Sequence, residues 1–118
     1  MKIFQFNKNS GRKITKSDSD FVLSPITRTE NAAQIGCMHL EANGRIGYHQ
    51  AAVPQLLLIV NGEGWVRGES EEYTHVQNGE AVLWDKDEWH ETKTDTGLMA
   101  IVIESEDLNT SALKPGSR

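Results

Sequence analysis

Between Gly44 and Gly62 the chain reads GRIGYHQAAVPQLLLIVNG, and this stretch constrains the fold more than any other. A turn glycine opens it; His49 stands five positions on, and Gln55 six positions after that. An unbroken apolar run then extends from Leu56 to Val60 and stops at Asn61-Gly62. Such a run between turn signals reads as a strand buried on both faces. Asn-Gly is a hairpin dipeptide, so a tight turn is expected at 61–62 and a new strand over 64–67. Two polar side chains able to hold a ligand, His49 and Gln55, thus flank the most apolar strand. A small barrel with a site inside it has this arrangement.

The rest of the chain repeats the pattern of short strands and turns. Strand candidates lie at 2–6, 21–23, 26–28, 34–40, 73–76, 81–84, 89–94 and 98–104. Polar or Gly-containing turns separate them at 41–44, 78–79 and 85–88, and Pro25 suits an edge or a bend. Residues 7–20 are polar and read as a loop. No segment keeps a helical period over three turns, so the expected class is all-β, a sandwich or jelly-roll barrel. The 118 residues make one domain. Residues 1–30 supply N-terminal strands, 34–104 the barrel core, and 108–118 an unpatterned tail expected to fray.

A net charge of -5 argues against a nucleic-acid or anionic membrane surface. The single cysteine, Cys37, cannot close an internal disulfide and reads as a small buried hydrophobe. The opening MKIFQFNKNSGRK has no apolar signal region, and no run is long enough to span a bilayer. The expectation is a soluble, cytoplasmic protein.

The placement of Gly44, His49, Gln55 and Gly62, followed by Gly79 and His90, resembles the two motifs of the cupin family. Ala51 and Gln55 occupy the positions of that family's second His and its Glu. Asp85, Asp87 and Thr94 replace the Pro, Gly and Asn of the second motif. The resemblance covers residues 34–104. It implies a double-stranded β-helix, the cupin jelly roll, with ligands projecting inward to a site open on one side to a small molecule, and it implies a homodimer.

By the same resemblance His49, Gln55 and His90 are the metal ligands, and Met38, Ala51, Leu57, Trp84 and Ile101 line a ligand pocket. Imidazole suits Zn, Fe, Ni, Mn or Cu. Gln55 brings a neutral carbonyl in place of a carboxylate, and Ala51 brings no ligand, so the divalent-metal site is expected to be weak and exchangeable. Leu40, Ile59 and Met99 are further expected to face the barrel interior, Trp89 to stand at its mouth, and His39 and His75 to lie at the surface. Glu88 and Glu91 are expected to point away from His90 or to sit in the turn, which disfavours acid–base catalysis. Three functions remain open: a small-molecule-binding barrel, a metal-dependent dioxygenase or isomerase acting on a small organic acid or sugar, and a ligand-sensing regulatory barrel.

Overall fold

The computed structural model describes residues 1–116. Eleven strands follow one another: β1 (Lys2–Gln5), β2 (Arg12–Ile14), β3 (Phe21–Leu23), β4 (Gln34–Leu40), β5 (Arg45–Gln50), β6 (Gln55–Arg67), β7 (Thr74–Gln77), β8 (Glu80–Trp84), β9 (Trp89–Lys93), β10 (Leu98–Glu104) and β11 (Lys114–Pro115). Short 3-10 turns at Lys8–Ser10 and Lys16–Asp18 interrupt the polar N-terminal loop, and 26–28 forms no strand. All strand pairs are antiparallel.

β6 organises the two layers, because its halves belong to different sheets. Its first half pairs with β8 and β10, within the order β11-β1-β8-β6-β10-β4. Its second half pairs with β7 and β9, and β9 in turn pairs with β5. The hairpin expected at Asn61-Gly62 is therefore absent: the strand runs straight through. The register against β10 slips there, with Ala100 opposite Ile59 but Met99 opposite Asn61, so Val60 is the extra residue of a bulge. Gly62 takes φ +93, which lets the chain turn the corner between sheets. Thr94 Oγ1 locks this corner by donating to the Glu63 carbonyl at 2.7 Å and accepting from Gly97 N–H at 2.9 Å. The physical reason for the correction is that an αL glycine serves a bulge as well as a turn, and only the partner strand decides which.

Side chains alternate along each strand, so each buried run divides between two cores. The inner core holds Leu57, Ile59, Val66, Val76, Val82, Trp84, Leu98, Ala100 and Val102, with Met38 and Leu40 packed against it. The outer core holds Leu56, Leu58, Ala81, Leu83, Ile103 and Leu113. Phe4, Phe6, Ile26 and Leu108 cover it from both ends of the chain. Ile101, expected in the pocket, packs instead on this outer core. Its partner across the sheet is Leu58, an outer residue, so their shared parity puts Ile101 outside. Met99 belongs to neither core.

Two further expectations change. Cys37 is exposed, because β4 is the last strand of its sheet and its outward face has no cover. The segment after Leu108 is not patternless: Leu113 is buried, and β11 pairs with β1 through Phe4–Pro115 and Gln5–Lys114. The last two residues of that expected tail lie outside the described ones. Among the described residues, no helix is long and apolar enough to cross a membrane.

Candidate metal and ligand site

At one end of the inner core four strands bring their polar residues together. His49 of β5 and His90 of β9 are directly opposite in register, with ring centroids 4.3 Å apart. Gln55 begins β6 with Trp84 of β8 opposite it on one side and Glu104 of β10 on the other. Trp84 stacks on His90 at 4.4 Å and 25°. His49, Gln55, Trp84 and His90 surround a cavity of about 10 Å³. Met38, Leu57, Ile46 and Thr92 close its walls. Sequence reasoning had not singled out the last two.

Backbone carbonyls fix both imidazoles. His49 Nδ1 lies 2.7 Å from the Gly47 carbonyl, and His90 Nδ1 lies 3.2 Å from the Glu88 carbonyl. A carbonyl only accepts, so each Nδ1 must carry a proton, and in the neutral ring Nε2 then presents a lone pair. Among the described residues, the buried Nε2 of His90 has no partner, and the buried Trp84 Nε1–H, in the wall of the same cavity, has no acceptor. Burial pushes the His90 pKa below the ordinary histidine range, more strongly than the Glu88 carbonyl raises it, and a charged His49 would push it lower still. His90 is therefore neutral at neutral pH.

The Glu88 carbonyl also accepts from Ala51 N–H at 3.0 Å, and Asp87 N–H donates to the Ala51 carbonyl at 2.8 Å. These bonds stitch the turn before β9 to the linker after β5. Asp87 adopts φ 71, taking up the left-handed conformation that a glycine would otherwise supply.

A second cavity, of about 170 Å³, lies beside the first and shares His49 and Gln55 with it. Gln50 at the end of β5 and the linker residues Ala51, Ala52 and Val53 line it, and Glu104 stands in its wall. Ala51 lies just past the end of β5 and lines this vestibule, outside the inner cavity. Glu104 was not anticipated as a site residue. Gln55 Nε2 donates to its Oε1 at 3.1 Å. Because a carboxylate accepts, this bond sets the amide orientation and leaves the Gln55 carbonyl oxygen without a protein partner among the described residues. The clue was available: Gln55 starts one long apolar strand and Glu104 ends another, so antiparallel pairing would set them face to face.

Neither carboxylate beside His90 in sequence serves it. Glu91 is buried, accepting from Arg67 Nε at 2.9 Å and Tyr73 OH at 2.8 Å, which hold its pKa below the carboxylate range. The Glu88 carboxylate binds the Met1 amino group at 2.6 Å and Asp85 N–H at 3.0 Å. Among the described residues, no three His, Cys, Asp or Glu side chains stand close enough to hold an ion by themselves. Trp89 is 39% exposed and stacks on Tyr48, outside both cavities. His39 is exposed, and His75 packs edge-on against Trp65.

No family model and no curated protein matches this chain. Its fold does match solved structures. A cupin superfamily protein from Desulfitobacterium hafniense superposes with a TM-score of 0.60 at 14% identity, over 72% of this chain and 77% of that one. A cupin-like protein from Thermotoga maritima gives 0.60 at 18% identity, over 67% and 65%. A predicted oxalate decarboxylase from Thermotoga maritima gives 0.54 at 19% identity, over 58% and 62%. The fold of this chain is the cupin jelly roll.

Proposed function

We propose that this chain is a small-molecule-binding barrel whose mouth holds a weakly bound divalent metal ion on His49, His90 and Gln55. The observation that carries the reading is the pair of imidazoles held as Nδ1–H tautomers, with the His90 Nε2 lone pair buried and unpartnered. A carbonyl on Nδ1 that orients Nε2 is the outer-shell device of histidine metal ligands. A buried acceptor without a partner calls for an ion or a water, and the inner cavity, about 10 Å³, has room for only one such occupant.

The donor set fits an ion only loosely. Two imidazole nitrogens and an amide oxygen are all neutral, so nothing at contact distance offsets a dication, and exchange is expected to be easy. Nitrogen donors favour Zn, Fe, Ni, Mn or Cu over Mg or Ca. Once bound, such an ion would polarise an oxygen or nitrogen of a ligand. The chain's own residues set the ligand's surroundings: Trp84 and Leu57 wall off the inner cavity, and the 50–53 linker shapes the way in. Binding is favoured over acid–base chemistry because Glu88 and Glu91 are both engaged away from His90.

Calorimetry with elemental analysis tests the reading. The parent is expected to take up one divalent ion per chain, and His49→Ala, at an exposed position, is expected to take up none. Binding that survives His49→Ala would place the ion on other residues, and a parent that binds no divalent ion would refute the metal site.

A further inference from the structure

We propose that the vestibule selects ligands carrying a protonated amine, with Glu104 as the anchoring anion. This deepens the small-molecule reading and rests on it, since it takes the same barrel mouth as the ligand's place; it does not depend on metal occupancy.

Two adjacent cavities, which share His49 and Gln55, are lined by a particular set of donors and acceptors. His49 and His90 each spend their N–H on a backbone carbonyl and present Nε2 as an acceptor. Gln50 Nε2 donates to the Asp87 carbonyl at 3.1 Å, and Gln55 Nε2 donates to Glu104. The imidazole N–H groups and one N–H of each Gln amide are thus turned to the protein, leaving a ring nitrogen or an amide oxygen as acceptor at each position and one further N–H on each Gln. Glu104 accepts on Oε1 only; its other oxygen has no partner among the described residues. It is the one charged side chain in the vestibule wall among those residues, where no Lys or Arg stands.

A wall rich in acceptors, with one carboxylate and no Lys or Arg, fits a ligand that brings donors and positive charge. A ligand carboxylate would face Glu104 across a narrow space with no cationic side chain between them, and like charges there oppose binding. A neutral alcohol can donate to the same acceptors but gains nothing from the charge. A protonated amine gains both, and its bond to the half-buried carboxylate is charge-assisted. At about 170 Å³ the vestibule limits this ligand to a small molecule.

The test uses three probes of matched size: propylammonium, 1-propanol and propionate. Each is titrated into the full chain with a chelator present at neutral pH, following the backbone amide resonances of Ala52, Val53 and Glu104. The expected affinity order is propylammonium, then propanol, then propionate. Glu104→Gln, which preserves shape and removes charge, is expected to weaken propylammonium about 10-fold and to erase its lead over propanol. Ala substitution at exposed Glu71, far along the chain in a charged loop, is expected to leave the order intact. Propionate binding as tightly as propylammonium, or an ammonium preference that survives Glu104→Gln, would overturn the proposal. Absence of metal binding with the ammonium preference intact would refute the metal site and support this inference. Metal binding without an ammonium preference would do the reverse.

Discussion

His90 shows how much one residue's environment decides. Its sequence neighbours Glu88 and Glu91 are acidic, and alternation along the strand turns them from its face or leaves them in the turn. In the fold those carboxylates turn elsewhere, and burial against Trp84 favours the neutral ring. The consequence is a pH dependence of definite sign. The unfolded chain binds the proton more readily than the folded one between the lowered His90 pKa and the ordinary imidazole value near 6.5, so stability rises with pH across that window and levels off above it. In chelator-treated protein, thermal melts from pH 8 downward are expected to show stability lost as the pH falls through this range. The slope from this one group is at most about 1.4 kcal/mol per pH unit. His90→Gln, which cannot titrate, should remove that part of the loss; parallel pH profiles for the two proteins would show that another group is responsible.

At the scale of elements the corner in β6 matters most, because it carries one strand through both sheets and so sets Gln55 and Trp65 in different layers. The corner rests on Gly62. A Cβ built there would lie 2.4 Å from the Gly97 carbonyl oxygen and 2.9 Å from Leu98 Cα, both backbone atoms that cannot step aside. Gly62→Ala also forces an L side chain to φ +93. The expected loss is about 1–3 kcal/mol or more, read as a lowered midpoint in denaturant melts. Gly47, where a Cβ would meet nothing within 4 Å and φ is not positive, is the control; its substitution by Ala should be nearly neutral. Equal losses at the two glycines would mean that Gly62 is an ordinary turn residue and that the continuous strand is misread.

The whole molecule leaves apolar surface uncovered in a particular place. N- and C-terminal segments cover the outer core, yet Ile35 on β4 is 66% exposed. β4 is also an edge strand, with one row of backbone groups free to pair. Exposed apolar side chains beside a free edge mark an association surface. We propose that a second copy of this chain covers it, forming a homodimer. Light scattering at micromolar concentration is expected to give twice the chain mass, and Ile35→Lys, which places a charge on the edge, is expected to give the monomer without loss of the fold. A monomeric parent would remove the proposal.

The sequence by itself determined the class of fold and singled out the residues on which the proposed site rests. Strand alternation and turn glycines are local properties, legible along the chain, and they carried the all-β jelly roll. The resemblance to the cupin motifs then pointed to His49, Gln55 and His90, which the fold brings to the lining of one cavity. What sequence reasoning missed all depends on what lies across from a residue. Asn61-Gly62 became a corner beside the Val60 bulge because β10 slips by one residue against β6. Ile101 faces outward because it sits opposite Leu58, and Cys37 is bare because no strand follows β4 in its sheet. Glu104 entered the site because two strands far apart in sequence end side by side. Register and edge position arise from long-range pairing, where a one-residue shift reverses every face, and only the assembled sheets hold that information.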